Sequence, residues 1–434
     1  MIRLKRCLRV FNFQLEKFGM VDVWLPYGKT EVCARIPTRN FLGSIEPKEK
    51  PAVTDAEAEV KRALEQPIGS ETLSKIVKPE NKVAIVVNDI AKPDLANIMV
   101  SSIIEKLNAI GVKNENVRVI FGCEAPERII NEEFLKQVKT VRHDFKGQDL
   151  AYAGKTKHGT NVYLNKAFFT EADVKILTGE IRFHCYAGYG GGRKSVLPGV
   201  CGEETIRHDH TMILDSQAKK GVLSGNPIHE DMIEAAKLAK VDFILNVVTN
   251  SKGEIVKAFA GDLEQAFYEG VKLVDETYRI SVDRRADVVV VGAGGYPADS
   301  SLYRAYEAVD SALRVVKRGG LIILAAECRE GYGNQTFYDW MVKFKNLKDI
   351  ERKIKRKFAF GGQTAYHLMK ALQKVKIILV SAMPDYYATD IFRLKTARAV
   401  NDALNEAFNV AGKKAKVWVM PYGNLTLPEV KTSE

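Results

Sequence analysis

The chain has 434 residues, 46% of them hydrophobic and 27% charged, and a formal net charge of +11. This is the balance of a soluble globular protein with length enough for two or three cores, and no apolar run approaches the ~18 residues that a membrane-crossing helix needs. The lysines and arginines are interleaved with acids instead of forming a basic block with aromatics, which speaks against nucleic acid and membrane partners and favours small anionic ligands.

In chain order, the basic segment MIRLKRCLRVFNFQLEKFG is broken by Lys5, Arg6, Arg9 and Glu16 before a secretory apolar core can form, and it reads as a first strand or arm. Short apolar runs then alternate with helical patterns: VAIVVND (83–89), a helix over 94–111 with Asp94 as N-cap and Gly111 as stop, VRVIFG (117–122), VKILTGE (174–180) and VDFILNVVTN (241–250). An amphipathic helix over about 263–278 leads to ADVVVVGAGG (286–295), LIILAAE (321–327), KIILVSA (376–382) and KVWVMP (416–421). This alternation predicts an α/β fold with parallel sheets. The polar connector at 282–285 divides the chain into an N-terminal domain, 1–280, that carries the chemistry, and a C-terminal domain, 281–434, that closes over the substrate, with a cleft between them. Six cysteines (Cys7, Cys33, Cys123, Cys185, Cys201, Cys328) have neither C-x-x-C nor zinc-ribbon spacing, so free thiols in a reducing, cytoplasmic compartment are expected.

Ligands of open parallel sheets bind at the carboxyl edge, which draws attention to Asp89, Gly122, Glu180, Asn250 and Gly294. Just past the strand 174–180 lies HCYAGYGGGRKS, residues 184–195. A glycine-rich loop running into lysine and serine resembles a Walker A phosphate loop, but Arg193 stands where the second required glycine belongs, and no frame satisfies G-x-G-x-x-G either. His184, His208 and His210 are three of seven histidines in the chain, gathered into this short region.

The block GEIRFHCYAGYGGGRKSVLPGV, followed by His210, resembles the nickel-dependent lactate racemase family: a histidine, a glycine-rich loop with a lysine, Pro-Gly, then a second histidine. Asp89 in VNDIAKP and the segment GGYPADSSLYRA (294–305) are similar to further family motifs, so the likeness runs over about residues 20–380. It implies that Lys194 tethers a pyridinium-3,5-bisthiocarboxylic acid mononucleotide, a nickel-pincer nucleotide in which two sulfurs, one carbon and the imidazole of His210 hold the metal. Imidazole and soft sulfur donors suit nickel in a square plane. Gly190, Gly191 and Gly192, with Asp89 and Lys92, would form the cofactor's surroundings, the amine would require a depressed pKa, and Arg193 is the neighbour expected to depress it. The reaction implied is racemisation or epimerisation of a 2-hydroxy acid by transient hydride transfer, with His184 as one acid/base group.

The substrate surroundings depart from the family pattern. Glu124, in Gly122-Cys-Glu-Ala-Pro126, stands where the family has its second catalytic histidine, and Lys92 replaces an arginine. In the LY segment, next to Tyr303, Arg304 and Glu307 replace the glutamine and lysine that would contact substrate. The changes imply retained chemistry on a substrate other than lactate, such as a sugar acid, with Arg304 and Lys92 gripping its carboxylate. Two alternatives stay open: a protein that binds a nucleotide or phosphate non-covalently through the loop, and a non-catalytic cofactor-binding relative. The plainer readings are that Asp89 caps the following helix, that Glu124 is a solvated loop acid, that Arg304 and Glu307 pair with each other, and that His208 is a surface residue.

Overall fold

The computed structural model describes residues 19–90, 92–125 and 138–431, so the N-terminal segment read as an arm, Cys7 and Pro126 lie outside the described residues. The chain forms two compact units, Lys48–Thr277 and a second one made of the residues up to Pro47 together with those from Tyr278 onward.

The unit Lys48–Thr277 is built on a six-stranded sheet in the order Ile255–Gly261, Phe243–Thr249, Val174–Glu180, Val83–Val87, Val117–Phe121, Lys139–Arg142. All neighbours are parallel except the edge pair Phe243–Thr249 and Ile255–Gly261. Its inner strands are continuous apolar runs because both faces are covered. The helix Pro93–Ile110 packs Leu95, Met99, Val100, Ile103 and Leu107 onto one face, and Gly111, with φ +100°, ends it in the left-handed C-cap expected of glycine. The helix opens at Pro93 with Lys92 as N-cap, so Asp94 falls inside its first turn instead of capping it.

Register decides where the site forms. Val83 stands opposite both Val117 and Val174, so these three strands start level, and Val174–Glu180 runs two residues past the ends of the other two. From Val83–Val87 the chain first adds strands on one side of the sheet and later on the other. The carboxyl ends of Val83–Val87 and Val174–Glu180 therefore flank the point where the strand order reverses, the place where open α/β sheets leave a crevice.

The second unit carries a fully parallel six-stranded sheet ordered Lys395–Thr396, Lys376–Val380, Val316–Ala325, Ala286–Gly292, Val417–Met420, Phe41–Ser44. The described residues up to Pro47, which the division at residue 280 placed with the N-terminal domain, belong by their packing to this second unit. Phe41 pairs with Val417, and the hairpin Met20–Tyr27 with Thr30–Pro37 buries Leu25, Ala34 and Ile36 in the core of the C-terminal unit. Such a pairing joins segments distant in sequence, which no local pattern encodes. Each of the strands expected among the described residues forms; Lys139–Arg142 and Ile255–Gly261 escaped the sequence reading because edge strands lack the apolar run of the inner ones. Among the described residues no helix is long and apolar enough to cross a membrane.

Candidate active site

Three loops leave the carboxyl edge of the first sheet side by side. The first brings Asn88 and Asp89, the second Glu124, and the third Arg182, His184 and the glycine-rich segment. Asn88, fully buried, ties them together: its Nδ2 donates to the Lys194 carbonyl at 3.3 Å, and its Oδ1 accepts from the Glu124 backbone N–H at 3.0 Å. Asp89 holds a left-handed backbone with φ +48°, uncommon for a side-chain-bearing residue and characteristic of functional turns. It does not cap the following helix. Its carboxylate faces into the loops instead.

Lys194 is 2% exposed, and its ammonium lies between two carboxylates, donating to Asp89 Oδ2 at 2.9 Å and Glu124 Oε2 at 2.5 Å. The other Asp89 oxygen accepts from Arg182 Nη2 at 2.7 Å. Burial disfavours the Lys194 charge, but Asp89 and then Glu124 outweigh it and hold the amine above the ordinary lysine value. The depressed pKa expected from the sequence is therefore corrected. Arg193 has no part in it, because its guanidinium turns into the protein. There it donates to His229 Nδ1 at 3.0 Å and to the Ala187 and Tyr189 carbonyls at 3.0 Å, and lies 4.3 Å from the Phe267 ring centroid. It clamps the glycine loop from behind. The Asp89 carboxyl, buried but facing Lys194 and Arg182, is held well below the usual carboxylate range.

His184 is brought into the same cluster. Burial first, and the Lys194 charge next, push its imidazole well below the ordinary histidine value, so it is neutral. The Ala187 N–H donates to its Nδ1 at 3.2 Å, and its ring meets Tyr186 edge-on at 4.4 Å. The Tyr186 hydroxyl lies 3.2 Å from His210 Nε2, so one tyrosine bridges the two histidines. His210 sits on the helix Glu203–Thr211, fully buried, with the carboxylate of the equally buried Asp209 2.8 Å from its Nδ1. Burial, with the neighbouring Asp231 carboxylate, lifts the Asp209 carboxyl to about 6 against the pull of His210. Asp231 accepts in turn from both Thr156 and Thr160. A carboxylate behind an imidazole fixes ring orientation and raises its basicity as a metal ligand. His208 is exposed, as its surface reading required, with its Nδ1 2.7 Å from the Thr160 hydroxyl.

The glycines answer to the protein itself. An added Cβ on Gly190 would lie 3.2 Å from Asp89 Oδ2, one on Gly191 2.9 Å from Ile181, and one on Gly192 3.4 Å from Phe267. Gly191 and Gly192 also need positive φ, +79° and +51°. The loop's own amides are spent internally: Gly190 N–H on the Arg182 carbonyl at 2.8 Å and Gly192 N–H on Asn246 Oδ1 at 2.9 Å. Ser195 donates to the Thr178 carbonyl at 2.7 Å. The Gly190 and Gly192 N–H groups and the Lys194 ammonium are thus engaged within the protein, where a phosphate cradle would turn them to its ligand.

Of the other residues singled out, Lys92 turns its ammonium to the Lys252 carbonyl. Tyr303, Arg304 and Glu307 lie in the other unit on the helix Leu302–Ala312, which Ser301 caps. There the Tyr303 hydroxyl accepts from Gln363 at 3.0 Å, Arg304 is exposed and Glu307 half-buried. Sequence reasoning passed over Arg182, Tyr186, Asp209 and Asp231. Arg182 and Tyr186 stood inside the quoted block and Asp209 beside His210, but nothing local marks which way a side chain turns.

The chain matches the family models for the lactate racemase N-terminal domain over residues 27–221 and the lactate racemase C-terminal domain over residues 282–426. A lactate racemase of Thermoanaerobacterium thermosaccharolyticum is 32% identical over 93% of this chain and 98% of its own length. The chain belongs to the lactate racemase family. It is accordingly an isomerase of the racemase type. The Lactiplantibacillus plantarum lactate racemase is 30% identical, covering 93% of this chain and 99% of that one. The solved lactate racemase apoprotein of T. thermosaccharolyticum superposes with a TM-score of 0.85 at 30% identity, over 94% of this chain and all of that one. A Thermotoga maritima protein at 18% identity, TM-score 0.65, covering 88% of this chain and all of that one, shares the fold.

Proposed function

We propose that the chain is a cytoplasmic 2-hydroxy-acid racemase or epimerase that works by transient hydride transfer with a lysine-tethered nickel-pincer nucleotide, on a small anionic hydroxy acid other than lactate, with neither nucleic acid nor membrane as partner. The observation that carries this is a single buried cluster of an amine flanked by two proton acceptors, a neutral histidine and an imidazole backed by a carboxylate. That donor set fits the group. Lys194 would offer the point of attachment and His210 the imidazole ligand; among the described residues no three His, Cys, Asp or Glu side chains converge as a metal cage, so a metal on His210 would need its other donors from the cofactor. Bound there, the cofactor would supply a hydride acceptor beside a soft metal.

The rest falls to the chain. Before its nitrogen can form the tether the Lys194 ammonium must shed a proton, and Glu124 Oε2, 2.5 Å from Nζ, is placed to take it. With the ammonium gone and the accepted proton passed on to solvent, Asp89 keeps Arg182, and the Glu124 carboxylate is free of the amine to act on a substrate hydroxyl. His184, neutral because it is buried, is the second proton acceptor. An imidazole and a carboxylate make the two faces chemically unequal. Together with Arg304 and Glu307 in the LY segment, this favours a substrate with further hydroxyls, such as a sugar acid.

A panel of chiral 2-hydroxy acids, lactate included, offered to cofactor-loaded protein in deuterated water tests the reading. Inversion of an acid other than lactate, with the carbon-bound hydrogen retained, is expected. Turnover of lactate alone overturns the substrate assignment, and deuterium entering at the inverted carbon overturns hydride transfer.

A further inference from the structure

We propose that Arg182 anchors the carboxylate of the substrate, a task that sequence alone placed on Lys92 together with Arg304. This deepens the hydroxy-acid reading above and rests on it.

Lys92 is turned elsewhere. Its ammonium donates to the Lys252 carbonyl, and its terminal methylenes lie so close over Gly253 that a Cβ there would come within 2.6 Å of Lys92 Cε. Arg182 leaves the end of the strand Val174–Glu180 two residues before His184 and donates to one oxygen of Asp89 at 2.7 Å, while Lys194 donates to the other at 2.9 Å. One carboxylate therefore holds the guanidinium beside the amine. In a 2-hydroxy acid the carboxylate is bonded directly to the carbon whose hydrogen moves, so its anchor has to sit within a few ångströms of whatever the amine carries.

Exposure points the same way. The Arg182 side chain is 32% exposed against 2% for Lys194, so of the two cations on Asp89 it is the one a solvent-borne anion meets. A guanidinium presents five donors in a planar fork, enough to stay on Asp89 along one edge and meet a carboxylate along another. Asp89 is rigid enough to orient it: its left-handed backbone and the close packing of Gly190 against Oδ2 leave the carboxylate little freedom. Once Lys194 is acylated it carries no charge, and Arg182 is the cation left among Asp89, Glu124 and His184 to balance an incoming anion.

The test is equilibrium binding of glycolate, the smallest 2-hydroxy acid, to the holoenzyme by calorimetry, beside glycolamide, which lacks the charge. Wild type should bind glycolate and discriminate against glycolamide. Arg182→Gln should weaken glycolate on the order of 10- to 100-fold, the range for a charge-assisted bidentate contact, and erase the discrimination. Arg182→Lys, which keeps the charge and the Asp89 pairing, should recover part of the loss. Glycolate binding by Arg182→Gln equal to wild type overturns the anchor and leaves the hydroxy-acid reading standing, as does loss of binding in Lys92→Ala but not in Arg182→Gln. A wild-type holoenzyme blind to glycolate overturns both. Should Arg182→Gln fail to fold, Arg182→Lys decides, and a loss below twofold counts against the anchor.

Discussion

Lys194 and Glu124, seventy positions apart in the chain, meet through a 2.5 Å contact between Nζ and Oε2. The acid that stands where the family pattern has a histidine is therefore no solvated loop residue. It is a partner of the amine. Replacing it by glutamine removes a proton acceptor at constant shape, and turnover by the loaded enzyme should fall about 10²- to 10⁴-fold, the usual contribution of a positioned acid or base. Glu124→His should regain part of that loss. Steady-state kcat on the active hydroxy acid is the measurement, and a Glu124→Gln enzyme within tenfold of wild type would return Glu124 to a structural role.

Removing the amine itself leaves Glu124 without its partner and Asp89 with Arg182 alone. Lys194→Ala should cost about 3 kcal/mol in unloaded protein, the low end for breaking a buried ion pair, because Asp89 keeps one cation. The loss has a pH signature. Asp89 has its folded pKa below the ordinary 3.8, so its contribution is complete above that value and fades as pH falls through the folded one. Lys194 has its folded pKa above the ordinary 10.5, so its contribution is complete below that value and fades as pH rises through the folded one. Denaturant unfolding should show the full difference between wild type and Lys194→Ala near neutral pH and a smaller one below about 4. Intact mass of the variant, made in a host that supplies the cofactor, should show no adduct.

His184 must be neutral to accept a proton, and its pKa lies well below the ordinary 6.5, chiefly from burial and then from the Lys194 charge. The acid limb of kcat/KM should therefore fall below pH 6.5. Tethering Lys194 removes that neighbouring charge, so the imidazole should titrate higher in loaded than in unloaded protein. Nuclear magnetic resonance of the labelled ring in both forms checks the order, and a loaded value below the unloaded one contradicts it.

Asp209 supports His210 from behind at 2.8 Å. Asp209→Asn keeps the volume but weakens the hold on the ring, and metal affinity should drop about 10- to 100-fold, as for other groups behind a ligating histidine. Nickel content after dialysis against graded chelator, measured by mass spectrometry, reports this without reference to turnover.

Much of this site was legible along the chain, and for identifiable reasons. His184, the glycine run and Lys194 fall in one block just past a strand whose seven residues are all buried, so local periodicity alone carried them to the sheet's carboxyl edge. Glu124 was visible as a substitution in a known position. What stayed hidden was direction. Arg193 and Lys194 are adjacent, yet one turns inward to His229 and Phe267 while the other meets Asp89 and Glu124. Lys92, expected beside the substrate carboxylate, turns to the Lys252 carbonyl at the Gly253 turn, while Arg182, which the sequence did not single out, is held by Asp89.

The sequence by itself determined the inner strands of both six-stranded sheets, the helix stop at Gly111, the parallel α/β class and the block that bears the chemistry, since each follows from the preferences and spacing of near neighbours. Only the tertiary structure decided that Phe41 pairs with Val417, that Asn88 ties Glu124 to the Lys194 backbone, and that Asp89 takes two cations at once. Those contacts depend on strand register between segments far apart in sequence, and on which buried charges end up able to neutralise one another, energies that exist only after the sheet has brought the loops together.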